Sequence, residues 1–152
     1  MPTTVVVPDG LPLVGASLLS TAVLLLGQVF IVGRRRKVAK IPYPQMYADK
    51  AQEEASFDAK KFNCAQRAHQ NTLESIPIIY LTTALSAVEY PVLAASLCGL
   101  WTVSRVFYTR GYITGDPQKR LRGGFPGSIA LVGLLGTSMY VVGQSVKAYL
   151  GF

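Results

Sequence analysis

Two long stretches of the chain contain no charged residue. The first covers residues 11–33 over 23 positions, and the second covers residues 123–146 over 24 positions. A helix needs about 20 mostly apolar residues to cross the hydrocarbon core of a bilayer. The pattern therefore predicts one transmembrane helix over each stretch. Because no basic residue precedes the first stretch, we expect a membrane span there and not a cleaved signal peptide.

Two shorter apolar runs lie between these stretches, at residues 75–88 and 90–104. Each is shorter than a membrane span, but each can continue as a helix beyond its charged end. A tight turn is expected at Glu89–Pro91, because a residue that precedes proline avoids the helical conformation. Pro77 lies inside the second helix and is expected to kink it. The four predicted spans are about 11–33, 59–89, 91–112 and 123–147.

The composition supports a membrane protein. Half of the 152 residues are hydrophobic and only 15% are charged, whereas an ordinary soluble domain carries about 25% charged residues. This composition argues against a soluble globule and excludes a disordered chain. The length suits one domain. We therefore expect an all-α fold, an integral membrane four-helix bundle that forms a single domain over residues 1–152.

The cations in the loops indicate how the helices are oriented. Residues 34–61, here called loop one, and the loop after the third helix together hold twelve Lys or Arg residues, against only Lys147 on the opposite side. Positive loops face the cytosol, so both termini are expected on the lumenal or extracellular side. This topology accounts for the net charge of +7, and no nucleic-acid motif or partner is expected. Within loop one, residues 41–44 are expected to be extended and residues 48–61 solvated.

One face of the second predicted helix is polar. Arg67, Asn71 and Glu74 are spaced i, i+4 and i+7 and therefore share this face. An ionisable group at membrane depth costs at least about 2.5 kcal/mol on insertion scales, so such groups usually face a bundle interior and mark a functional site. The structural alternative is that Arg67 and Glu74 only pair with each other or extend to the membrane interface.

The third predicted helix has a matching face. Arg105, Tyr108 and Tyr112 are spaced i, i+3 and i+7, with Trp101 one turn earlier. Both faces lie at the cytosolic ends of adjacent helices, so their polar groups are expected to converge. Arginine binds carboxylates in a bidentate manner, and glutamate can bind an ammonium group. The combination suits a small zwitterionic ligand that is rich in carboxylates.

Other reactive side chains are isolated. His69 lies off the polar face and lacks Cys or His partners, so a structural role fits it better than a metal site. Cys64 and Cys98 have no dithiol motif and no evident base, and we expect them to be passive. We expect the glycines of the fourth helix to allow close helix packing; they are Gly127, Gly133, Gly136 and Gly143.

Three segments carry a family resemblance. The longest is residues 62–74, with the sequence FNCAQRAHQNTLE; residues 105–123 and 41–47 also contribute. They closely resemble the MAPEG family, the membrane-associated proteins in eicosanoid and glutathione metabolism. The resemblance implies a four-helix subunit that forms a homotrimer in membrane lipid, with glutathione bound between subunits near the cytosolic side.

The resemblance also implies roles for individual residues. A neighbouring subunit contributes an arginine from the end of its first helix, which corresponds to Arg34 or Arg35. The family's thiol-activating arginine follows the third helix, where Lys119, Arg120 and Arg122 are available and Arg120 best fits the spacing. The remaining candidate glutathione contacts, with His69 included because it lies in the motif, are Arg67, His69, Asn71, Glu74, Tyr108 and Tyr112.

The expected activity follows from this resemblance. A guanidinium favours the thiolate form of glutathione, which attacks a lipophilic electrophile such as an epoxide or reduces a lipid hydroperoxide. No metal is expected, and the expected location is the endoplasmic reticulum or nuclear envelope, or else the mitochondrial outer membrane, with the site facing the cytosol. One alternative is a non-catalytic family member that presents lipid to a lipoxygenase, and a more distant one is a small channel or scaffold.

Overall fold

The computed structural model describes residues 9–151, and every regular element in that range is helical. In chain order these elements are α1 (Leu11–Ala39), α2 (Lys50–Ala55), α3 (Phe57–Ala87), α4 (Pro91–Tyr112), a 3₁₀ turn (Pro117–Arg120) and α5 (Leu121–Leu150). The all-α prediction is confirmed. The expected number of helices, four, is too small by one, because α2 forms inside loop one.

Local chain chemistry explains α2. Asp49 accepts a hydrogen bond from the backbone N–H of Gln52 at 2.8 Å, and the Gln52 side chain accepts one from the Asp49 N–H at 2.9 Å. This reciprocal capping box satisfies two amide donors that a helix start otherwise leaves unpaired. The prediction that residues 48–61 are solvated is confirmed for α2, which has no buried residue, but it is wrong for Ala48 and Ala59, which are buried. The expected extended run at 41–44 is also wrong, since Tyr43 and Pro44 form a turn.

Within residues 9–151, three helical segments are long and apolar enough to cross a membrane: Leu11–Ala39, Pro91–Tyr112 and Pro117–Leu150. At 1.5 Å per residue the 29 residues of α1 extend about 43 Å, more than a hydrocarbon core of about 30 Å. α1 is therefore long enough for its last turns, with Arg36 and Lys37, to extend beyond the hydrocarbon core. α3 has 31 residues, but the polar positions in its first half lower its hydropathy, so its span remains a prediction.

The long helices pack around one apolar cluster. Trp101 of α4 is its largest fully buried side chain and lies with Ile79 of α3, Leu134 of α5 and Val14 of α1. Burying side chains of this size stabilises a fold by roughly 1.5–3 kcal/mol each in water. The turn between α3 and α4 occupies Val88–Tyr90, one residue earlier than predicted, and Pro91 is already the first residue of α4. The cluster joins all four long helices below the polar faces of α3 and α4.

Glycines allow α4 and α5 to approach closely. A Cβ on Gly123 would lie 2.2 Å from the Tyr108 backbone nitrogen, and one on Gly127 would lie 3.3 Å from Cβ of Ser104. Gly133 also lies against α4, but added Cβ atoms at Gly136 and Gly143 would meet nothing within 4 Å. The expected packing role therefore holds for Gly127 and Gly133 within one chain, and sequence reasoning missed Gly123.

Candidate functional site

The polar face of α3 forms a connected network. Arg67 donates from Nη1 to Oε1 of Glu74 at 2.9 Å, and Asn71 donates from Nδ2 to Oε2 of the same carboxylate at 3.4 Å. The Arg67 and Glu74 side chains are 45% and 48% exposed. The helix spacing thus places one cation, one amide and one carboxylate on a face that is open to a ligand or another chain.

Arg105 joins this network from α4. Its Nη1 donates to Oδ1 of Asn71 at 2.7 Å, and its Nη2 donates to Oγ of Ser75 at 3.1 Å. The guanidinium also lies 5.1 Å from the Trp101 ring centroid and 4.8 Å from that of Tyr108. Such cation–π contacts are strongest where water is excluded. Arg105 therefore couples the two polar faces, as their positions on adjacent helices suggested.

The two tyrosines of α4 lie together beside the network. The ring centroids of Tyr108 and Tyr112 are 5.6 Å apart, and both residues are buried. Arg120, in the 3₁₀ turn after α4, lies with its guanidinium carbon 5.6 Å from the Tyr112 ring centroid. A Cβ on Gly111 would lie 2.2 Å from the Lys119 carbonyl oxygen, so this glycine lets the basic turn fold back onto α4.

The other basic candidates are placed differently. Arg122 is exposed at the start of α5, whereas Arg120 is half-buried against the tyrosines, so the structure brings only Arg120 of this pair to Tyr112. Arg34 and Arg35 line a separate groove of about 340 Å³ with Ile31, Val38 and Ile113. Within one chain, none of the residues in the α3 network lines that groove.

His69 belongs to a different polar cluster. Its Nδ1 lies 3.3 Å from Oε1 of Gln28 on α1. Gln28 is only 2% exposed, and its Nε2 donates to the hydroxyls of Thr72 at 3.0 Å and Thr109 at 2.8 Å. Buried polar groups of this kind are stable only when hydrogen-bonded. The cluster holds α1, α3 and α4 together, which agrees with the structural role expected for His69.

Tyr47 reaches the α3 face from loop one. Its hydroxyl donates to Oε1 of Gln70, which lies one turn along α3 from Arg67. Burial raises the pKa of the Tyr47 phenol, while the nearby Arg67 guanidinium acts in the opposite direction. The phenol is therefore protonated at neutral pH and has both a donor hydrogen and an acceptor oxygen.

Arg105, Ser75 and Tyr47 lie on or contact the α3 face but were not among the predicted site residues, and the sequence indicated them to different degrees. The helical spacing did place Arg105 on the converging polar face with Tyr108 and Tyr112, but the family resemblance gave it no glutathione contact. Ser75 and Tyr47 gave no local signal, because their contacts depend on how α4 and loop one pack against α3. Over residues 9–151, no group of three His, Cys, Asp or Glu side chains could hold a metal ion.

The network has the donors and acceptors that a carboxylate-rich zwitterion needs. Arg67 and Arg105 supply forked N–H donors on the two helices, and Glu74 supplies an acceptor for an ammonium group. Arg120 adds a third cation at the edge of the tyrosine pair. The arrangement thus combines the polar groups of α3 and α4 with a separate guanidinium, that of Arg120, beside the tyrosine pair.

A comparison with known protein families agrees with the motifs in the sequence. The model of the MAPEG family matches residues 14–140. The match takes in all of α3 and α4, with most of α1 and α5, and therefore includes every element that forms the site. The chain belongs to the MAPEG family.

Proposed function

We propose that this protein is a membrane glutathione transferase that also has glutathione-dependent peroxidase activity. The family contains such enzymes and also non-catalytic members, so the site has to support the choice. The observation that carries the proposal is the linked set of Arg67, Asn71, Glu74 and Arg105, with two bonds of 2.7–2.9 Å. Two helices that needed only packing would not keep four polar side chains, three on α3 and one on α4, within their predicted membrane spans.

Glutathione fits this set by its charges. It has two carboxylates, one ammonium group and two peptide groups. Arg67 and Asn71 would hold a carboxylate, and Glu74 would hold the ammonium group. Tyr108 and Tyr112 would line the same space from α4, while Arg34 or Arg35 would come from a neighbouring subunit. We assign no ligand contact to His69, because its partner is Gln28.

Arg120 is the proposed thiol-activating residue. A free cysteine thiol titrates near pH 8.5, and a guanidinium within hydrogen-bonding distance favours its anion. The 5.6 Å contact of Arg120 with Tyr112 supports Arg120 over Arg122. The thiolate attacks an epoxide carbon, the carbon–oxygen bond breaks, and the alkoxide takes a proton from water to leave a thioether alcohol.

The peroxidase reaction would use the same thiolate. It attacks the terminal oxygen of a lipid hydroperoxide, the O–O bond breaks and an alcohol is released. Glutathione sulfenic acid remains, and a second glutathione converts it to the disulfide and water. Positioning the thiolate against a substrate that enters from the lipid supplies much of the acceleration in either case.

A homotrimer in membrane lipid is part of the proposal. The Arg67–Glu74 pair is nearly half exposed within one chain, and an ion pair at membrane depth needs a polar cover. A neighbouring subunit that presents Arg34 or Arg35 supplies such a cover together with bound glutathione. The motif at residues 62–74 resembles that of the microsomal glutathione S-transferase 3 type, and on this basis the proposed location is the endoplasmic reticulum or nuclear envelope, with the site facing the cytosol.

A paired assay tests the activity. Purified protein in detergent is mixed with glutathione and either an aromatic epoxide or a fatty-acid hydroperoxide, and the loss of each electrophile is followed. We expect the wild-type protein to consume both electrophiles, and we expect both rates to fall at least tenfold in Arg67→Ala. Arg110→Ala is the control, since Arg110 is exposed on α4, and both rates should stay unchanged in this variant. Glutathione binding without turnover of either electrophile would contradict the enzyme and leave the lipid-presenting alternative.

A further inference from the structure

A short segment of loop one is held tightly against the site. Residues 40–49 lie between α1 and α2, and we call them the connecting segment. The Tyr47 side chain of this segment hydrogen-bonds to Gln70 on α3. Gln70, its hydrogen-bond partner, lies three residues from Arg67 and one from Asn71. The proposed function above uses neither Tyr47 nor Gln70.

Arg36 fixes the segment on one side of Tyr47. This arginine is buried in the last turns of α1 and donates from Nη1 to the Gln45 carbonyl at 2.6 Å and from Nη2 to the Met46 carbonyl at 3.5 Å. Its guanidinium carbon lies 4.3 Å from the Tyr43 ring centroid and 4.5 Å from that of Phe62. Within residues 9–151 no carboxylate pairs with Arg36, so carbonyl dipoles and aromatic faces stabilise its charge.

Asn63 fixes the segment on the other side. Its Oδ1 accepts from the Ala48 N–H at 2.8 Å, and its Nδ2 donates to the Ala48 carbonyl at 3.0 Å and to Glu53 of α2 at 2.9 Å. The residues directly before and after Tyr47 are therefore both bound by side chains of the long helices. A side chain whose backbone is already fixed loses less conformational entropy when a ligand binds it.

The Tyr47–Gln70 pair offers complementary chemistry. The Gln70 Oε1 already accepts from the phenol, which leaves the Gln70 amide N–H groups as donors. The phenol oxygen keeps its lone pairs as acceptors. One donor and one acceptor side by side match the C=O and N–H of a peptide group.

We propose that Tyr47 is a further binding residue for glutathione, that its phenol and Gln70 contact a peptide group of the ligand, and that Arg36 and Asn63 act as positioning residues. The inference rests on the proposed function, since glutathione is the ligand. The proposal adds a contact from loop one, so a segment outside the predicted membrane spans would line one side of the glutathione site. Recognition of a peptide group also favours a peptide thiol over a simple thiol.

Two matched tyrosine variants test the contact. Tyr47→Phe removes the hydroxyl but keeps the ring, and Tyr43→Phe does the same on the same segment, where Tyr43 is 79% exposed and uses only its ring face. Calorimetric titration of glutathione should give a Kd that rises about three- to tenfold in Tyr47→Phe, the range for one hydrogen bond. The Kd of Tyr43→Phe should stay within twofold of the wild-type value.

A double-mutant cycle tests the positioning role of Arg36. Arg36→Met should weaken glutathione binding in the wild-type background by releasing the segment, but should add little to Tyr47→Phe, because the contact that it positions is already lost. A general loss of structure would weaken both backgrounds equally. Equal losses in the two backgrounds would overturn the positioning role.

The failure of this inference can be told apart from failure of the proposed function. If wild-type protein binds glutathione and Tyr47→Phe binds it equally well, Tyr47 is not a binding residue and the proposed function stands. Equal weakening by Tyr43→Phe and Tyr47→Phe also overturns the inference, since the effect would then belong to the segment and not to the phenol. If wild-type protein does not bind glutathione, both are overturned.

Discussion

Arg105 of α4 donates a hydrogen bond of 2.7 Å to the Asn71 side chain of α3. The bond fixes the amide so that its Nδ2 turns towards Glu74, which also pairs with Arg67. Through Asn71, Arg105 of α4 orients a polar network whose other members Arg67 and Glu74 lie on α3. Because its guanidinium also contacts Trp101 at the edge of the apolar cluster, the packing of the helices and the geometry of the polar network are coupled at this point.

Arg105→Lys tests that coupling. Lysine keeps the charge but has no forked donors for both Asn71 and Ser75, and it stacks less well on aromatic rings. We expect glutathione affinity to fall about fivefold, in the range for one lost hydrogen bond. Arg110→Lys on the same helix is the control, since Arg110 is exposed. Unchanged affinity in Arg105→Lys would show that Asn71 does not need this bond.

Arg120→Ala separates thiol activation from binding. The contact with the thiolate matters mainly for the charged sulfur, so turnover should fall much more than glutathione affinity. The ultraviolet absorbance of the thiolate gives its titration directly, and the pKa of bound glutathione should rise towards the free value of about 8.5. Arg122→Ala should leave that pKa unchanged, because Arg122 is exposed. A shift in Arg122→Ala alone would transfer the role to Arg122.

Gly123→Ala tests the close approach of α4 and α5. The added methyl would lie 2.2 Å from the Tyr108 backbone, so α5 must move away from the site. We expect a loss of thermal stability in detergent that corresponds to about 1–3 kcal/mol, the usual cost of overpacking. Gly124→Ala is the adjacent control, since its methyl would meet Tyr108 at an ordinary 3.8 Å. Equal melting temperatures for the two variants would show that the helices can separate without cost.

Cysteine labelling tests the orientation. Glu54 of α2, Gln118 of the 3₁₀ turn and Asp9 are exposed, whereas the native Cys64 and Cys98 are buried and should give little background. In intact microsomes, a membrane-impermeant maleimide should label Glu54→Cys and Gln118→Cys but not Asp9→Cys. Labelling of Asp9→Cys alone would reverse the topology that the loop cations predict.

Local sequence signals predicted much of the fold. The uncharged runs placed α1, α4 and α5, and proline after Tyr90 placed the turn that precedes α4. Helical spacing put Arg67, Asn71 and Glu74 on one face, where the structure links them. The capping box is also visible in the sequence, since Gln52 follows Asp49 by three residues.

What the sequence could not predict depends on packing between distant segments. Arg36 lies in a basic run that suggests a solvated loop, yet it is buried because Phe62 and the connecting segment surround it. Gly123 matters only because α4 passes against it. The contact of Tyr47 with Gln70 needs both the end of α1 and the start of α3 in place, and spacing along one helix cannot reveal it.

Calorimetric titration of glutathione into the purified protein tests the central claim most directly, namely that the polar face of α3 binds this ligand. Wild-type protein should show saturable binding, Arg67→Ala should bind at least about tenfold more weakly because Glu74 loses its cation, and Arg110→Ala should match the wild type. No saturable binding by the wild type, or an affinity in Arg67→Ala equal to that of the wild type, would contradict the account.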